Sequence, residues 1–95
     1  MKPRDRSDRL ETLPDIGKIT AAKLEKIGIK TRSDFLQRDP YRVFEELLEK
    51  VDPTLCRCAL ASLVGAKQGR PWHEITRQTA IQYQLRRPGH RWGKC

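Results

Sequence analysis

The stretch "LPDIGKITAAKLEKIGI", Leu13 to Ile29, decides the fold. Pro14 ends any helix before it, because its ring locks φ and pushes the preceding residue out of the α region. From Lys18 onward Ala21, Leu24 and Ile27 recur at helical spacing, with Lys18, Lys23 and Lys26 away from them, so a helix over Lys18 to Ile27 is predicted. Gly28 supplies its left-handed stop. Pro14, Asp15, Ile16 and Gly17 then form a hairpin turn, and the free amides of Gly17, Lys18 and Ile19 make an anion site with the Lys18 ammonium alongside. Asp15 has two readings. It tolerates left-handed backbone better than most residues with a Cβ; as an N-cap accepting from the Lys18 amide, it would instead put a carboxylate where an anion should bind.

Working outward, residues 1–9 read as a flexible basic arm running into a short helix around Ser7 to Leu13, capped by Ser7 or Asp8. Downstream, "TRSD" (Thr31–Asp34) has capping-box spacing and opens a short helix through Arg38 that buries Phe35 and Leu36. Asp39-Pro40 is a cap followed by a first helical residue. It starts a helix to Val51 with Val43, Phe44, Leu47 and Leu48 inward and Glu45, Glu46 and Glu49 outward. Asp52-Pro53 repeats that signal, so the central core helix is expected from Pro53 to Gln68, with Leu55, Cys56, Ala59, Leu60, Leu63 and Val64 buried. "GRPWHEIT" (Gly69–Thr76) reads as a turn and docking segment, with Thr76 capping a last helix to Arg87. No stretch alternates long enough to be a strand. The expectation is one all-α domain over residues 10–87, a compact bundle of five or six short helices, followed by a basic tail at 88–95.

Twenty Lys and Arg against twelve Asp and Glu leave a net charge of +8, segregated as +4 over residues 1–38, −3 over 39–52 and +7 over 53–95. That field suits nucleic acid, an anionic surface or an acidic partner. The longest apolar run, Ala59 to Ala66, is far short of the roughly 20 residues that cross a bilayer, and "MKPRDRSDRL" carries no apolar signal core, so a cytoplasmic protein without membrane contact is expected. Cys56 and Cys58, two apart on a helix, point away from each other and cannot pair; with Cys95 and the histidines they lack metal-site spacing. Neither a nucleophile with its base nor a carboxylate cluster for a metal is visible, so no enzyme activity, cofactor, metal or small-molecule substrate is expected.

Leu13, Pro14, Ile16, Gly17, Ala21, Leu24, Gly28 and Ile29 match at fixed offsets the helix-hairpin-helix motif, in which a Pro-Gly-apolar-Gly turn between two helices grips a nucleic-acid backbone. Asp15 stands where that motif has its first glycine. Beyond the motif, Asp39, Pro40, Phe44, Glu45, Leu47, Asp52, Cys56, Pro71 and Trp72 resemble the pattern of small bacterial proteins called "pathogenicity locus" or "mitomycin resistance protein" over about residues 10–80. A more distant similarity is to the C-terminal domain of TfoX-type competence regulators. The Ala and Leu after Cys58, and the basic tail, depart from the family pattern.

The resemblance implies sequence-independent, non-enzymatic binding of DNA backbone through Gly17, Lys18 and Ile19, in a DNA-repair or damage-resistance setting. Lys23, Lys26, Arg86, Arg87, Arg91 and Lys94 add positive charge, and His90 and Trp92 are able to stack on unpaired bases. Two other readings of the tail are a solubilising extension and a segment with Trp92 folded back on the core. The alternative function is a protein adaptor using the acidic Pro40–Val51 helix or a Trp72 patch. Gly17→Val should disturb the hairpin, because a β-branched side chain suits neither positive φ nor close backbone packing. On the DNA reading, Asp15→Gly should tighten binding by freeing an amide and removing a charge.

Overall fold

The computed structural model describes residues 8–94. The expectations for Ser7, most of the N-terminal arm and Cys95 therefore lie outside the described residues. Within them the chain is helical: a 3-10 turn at Leu10–Thr12, then α1 (Lys18–Lys26), α2 (Arg32–Leu36), α3 (Pro40–Lys50), α4 (Arg57–Gln68) and α5 (Trp72–Arg86). None of these helices is long and apolar enough to cross a membrane.

Local chemistry sets most boundaries. Gly28 takes φ 87°, its amide donates to the Glu25 carbonyl and the Ile29 amide to the Leu24 carbonyl, both at 3.1 Å. This double closure is a Schellman motif, and it buries Ile29 together with Leu24. Thr31 caps α2 by accepting from the Asp34 amide at 3.1 Å, and Asp39 caps α3 by accepting from the Tyr41 amide at 3.0 Å. Helix α2 stops at Leu36, which stays exposed while Phe35 is buried, because the Lys67 ammonium takes up the Leu36 and Arg38 carbonyls at 2.8 and 2.7 Å.

Two starts differ from the sequence reading. Helix α4 begins at Arg57 and not at Pro53: the Asp52 carboxylate accepts from both the Thr54 amide (2.9 Å) and hydroxyl (2.5 Å), closing an Asx-type turn in place of a helical one. That leaves Cys56 as the N-cap, and Cys56 and Cys58 are half-buried, not core residues. Helix α5 begins at Trp72, a full turn before Thr76. Pro71 enters at φ −61° with no amide of its own, Glu74 suits the first turn, and the Thr76 hydroxyl bonds back to the Trp72 carbonyl at 2.8 Å instead of capping forward.

Helix α4 is the centre, as its composition predicts, packed between α3 and α5 with Leu60, Ala61, Leu63, Val64, Gly65 and Ala66 buried. Phe35, Phe44, Leu24, Leu47 and Ile75 close over it, and Leu10, Leu13 and Ile16 bring the turn before α1 into the same core. The radius of gyration, 13.0 Å, is that of a packed domain of this length.

Candidate nucleic-acid interface

Asp15 adopts left-handed backbone, φ 66°, the only residue with a Cβ to do so among those described. This conformation carries the side chain away from α1. Its Oδ2 is buried without a hydrogen-bond partner and sits 2.8 Å from where a Cβ on Gly65 would stand, with the Arg70 carbonyl oxygen against the same point. Gly65 is therefore glycine because the turn before α1 and the α4–α5 turn both press on it. Of the two readings of Asp15, the left-handed one describes the structure: the N-cap of α1 is Gly17, and no side chain caps it.

The start of α1 is consequently open. The first intrahelical bond runs from the Ala21 amide to the Gly17 carbonyl at 2.9 Å, so the amides just ahead of Ala21 precede the ladder. Gly17, Lys18 and Ile19 are all exposed, Ile19 to 75%. Gly17 has extended backbone, φ −94° and ψ −176°, and a Cβ there would meet nothing within 4 Å. Its glycine leaves clear space before the amides and is not required by the backbone, contrary to the reason given above for Gly17→Val.

The other candidate cations divide among four places. Lys26 is exposed in the last turn of α1, about 12 Å along the axis from Lys18. Lys23 is bound to Asp52 at 2.8 Å, and Lys94 joins it and Thr20 around a depression of about 340 Å³. The Lys23 ammonium, with the Thr54 hydroxyl and amide, holds the Asp52 carboxyl well below the usual carboxylate range. Arg86 and Arg87 turn to the acidic helix instead. Arg86 lies 3.8 Å from Asp39 with its guanidinium 4.6 Å from the Tyr41 ring centre, and Arg87 lies 3.2 Å from Glu45. Arg38 takes Glu46 at 2.7 Å, so much of the acidic face of α3 is matched by the chain's own arginines.

The described residues of the C-terminal segment, 88–94, do not extend into solvent as a free tail. Of the three readings of this segment, the one with Trp92 folded back describes the structure. His90 and Trp92 form an aromatic cluster with Phe44 and Tyr83, the His90 ring standing nearly perpendicular to Tyr83 at 4.9 Å and to Trp92 at 4.6 Å. The Gly93 amide donates to the Leu55 carbonyl at 3.2 Å, and a side chain on Gly93 would collide with the Thr54 and Leu55 carbonyl oxygens. Arg91 remains exposed on this docked segment. Burial pushes the His90 imidazole pKa down, and its Nε2 has no partner.

Sequence reasoning passed over the α4–α5 turn beside Asp15, where Arg70 is exposed, and the outward cations of α5 such as Arg77. The available signal was that Glu74 is the sole acid after Asp52.

No curated protein matches the chain. Its fold is similar to that in the triclinic crystal structure of an uncharacterized protein from Listeria monocytogenes, with a TM-score of 0.71 and 30% identity, covering 86% of this chain and 97% of that one. The profile of the Cdd1 family, described as "Pathogenicity locus", matches residues 3–79. That span takes in the turn before α1, both Asp-Pro signals and the Pro71-Trp72 entry to α5, and the chain belongs to the Cdd1 pathogenicity locus family.

Proposed function

We propose that this protein is a non-enzymatic binder of DNA backbone, and that Leu13–Ile29 is a helix-hairpin-helix unit whose turn holds a phosphate in a DNA-repair or damage-resistance setting. One observation carries the reading: Asp15 aims its carboxylate at Gly65, leaving the start of α1 uncapped, exposed and flanked by Lys18. Amides at a helix start, with a lysine beside them, favour an anion through both hydrogen bonding and the helix dipole. Contacts of this kind position a backbone without reading bases. The relation to mitomycin resistance proteins and TfoX C-terminal domains belongs to the same proposal.

The adaptor alternative rests on exposed apolar side chains of α5, Trp72, Ile81 and Leu85. Its other support, the acidic helix, is weaker because Asp39, Glu45 and Glu46 already face arginines. Titrating a duplex across a salt series separates the two. Backbone binding weakens steeply with salt, and Lys18→Ala should weaken every sequence alike and reduce the magnitude of the salt slope by about 1. No measurable duplex affinity at physiological salt would favour the adaptor.

A further inference from the structure

A groove of about 640 Å³ lies between the start of α4, the outer face of α5 and the docked C-terminal segment. His73, Arg77, Ile81 and Gln84 line it from α5, where their spacing puts them on one face; Arg57 enters from α4 and Trp92 from the C-terminal segment. No carboxylate lines it, and neither Arg57 nor Arg77 is paired with an acid among the described residues. The Arg57 guanidinium sits 6.0 Å from the Trp92 ring centre, so charge and an aromatic surface meet in one place. Gln84 donates to the His90 carbonyl at 3.5 Å, tying the C-terminal side of the groove to α5.

The groove is separate from the start of α1. Arg57 stands more than two turns, about 12 Å, along α4 from Gly65, where the Asp15 turn crosses. Arg70, His73 and Arg77 are exposed along the way, with Glu74 the one acid in that stretch.

We propose that this groove is a second nucleic-acid contact, one that takes an unpaired nucleotide, with its phosphate between Arg57 and Arg77 and its base against Trp92. The proposal rests on the DNA-binding reading and gives it a substrate class: duplex held at α1 with a single strand leaving it along α5. Two guanidiniums lining one groove suit a phosphate, and an aromatic ring accepts any base, so binding here is tolerant of sequence. A fully paired duplex keeps its bases stacked inside and has nothing to offer Trp92.

The test uses the full chain in a Trp72→Phe background, where Trp92 is the remaining tryptophan. A short oligothymidylate should quench Trp92 fluorescence. Arg57→Gln with Arg77→Gln should weaken the oligonucleotide and an overhang-bearing duplex by about tenfold. The same double variant should hold blunt duplex within about twofold and melt as the parent does. Absent quenching, equal losses on blunt and overhang duplexes, or displacement of the oligonucleotide by polyglutamate at matching concentrations each overturn the proposal, the last by indicating an acidic protein segment as the occupant. If Lys18→Ala leaves duplex binding untouched while the double variant still loses the oligonucleotide, the α1 reading fails and the groove stands.

Discussion

Asp15 shows how far one residue can be read. Its left-handed turn was one of two readings the sequence left open, because Pro14 and the helix start frame the turn and aspartate is among the few side chains that enter that region. Where its carboxylate goes was not legible, since that depends on α4 bringing Gly65 alongside. Asp15→Gly is thus expected to raise stability by about 1 kcal/mol, relieving left-handed backbone and removing an unpartnered buried oxygen, which a rise in melting temperature would register. The gain in DNA affinity is smaller than expected when the carboxylate was read as a cap. No amide is freed, so only a long-range charge is lost, about 0.5 kcal/mol, and it should fade in high salt. Gly65→Ala should destabilise by about 2 kcal/mol, because the Arg70 carbonyl has no room to give, and this shows as a lowered denaturation midpoint. For Gly17→Val the structure reverses the expectation. Extended backbone and open space predict a stability change under about 1 kcal/mol, while the added side chain screens the α1 amides and should weaken DNA binding by about tenfold. Melting and titration of the one variant distinguish these effects.

Among elements, the helix ends set by a side-chain cap or by a glycine were read nearly to the residue: the starts of α2 and α3, and the stops of α1 and α4. Those that depend on which amide a side chain chooses were not: Asp52 bonds Thr54 and makes a turn, and Thr76 bonds backward inside α5. The C-terminal segment was ambiguous for a different reason. "RRPGHRWGKC" is polar enough to be solvated, and its docking depends on the aromatic pocket that Phe44 and Tyr83 build from two distant helices. Its attachment should respond to pH. Burial lowers the His90 pKa from the ordinary value of 6.5, so the folded state binds fewer protons than the unfolded one. The stabilisation is complete above that value and is lost as pH falls through it toward the folded pKa. The melting temperature should therefore drop between about pH 7.5 and 5.5, the span around an ordinary histidine, and His90→Phe should flatten the drop while keeping a ring in the cluster. A separate acid limb belongs to Asp52. Its folded pKa is depressed by Lys23 and Thr54, so its contribution persists until pH falls below the usual aspartate value of 3.8, and Lys23→Ala should shrink that limb by bringing the folded pKa toward the unfolded one.

Across the whole molecule, total charge overstates what a ligand meets. Of the nine residues assigned to nucleic acid by sequence, Gly17, Lys18 and Ile19 come together at one helix start, while Lys23, Arg86 and Arg87 face acids of their own chain. Composition could show the positive field but not this internal pairing, which appears only when α1 reaches the turn after α3 and the end of α5 reaches α3. Arg87→Ala should leave the slope of DNA affinity against salt unchanged and cost less than about 1 kcal/mol of stability, as exposed ion pairs do. A fall in that slope equal to the one from Lys18→Ala would point to a diffuse field instead. The near-perpendicular packing of His90 against both Tyr83 and Trp92 also has a magnetic consequence. The imidazole protons lie within the ring-current fields of two neighbouring rings, so their resonances should be displaced from those of a free histidine and return when the segment detaches. The chemical shift of one side chain then reports, without a label, whether Gly93 is seated on Leu55.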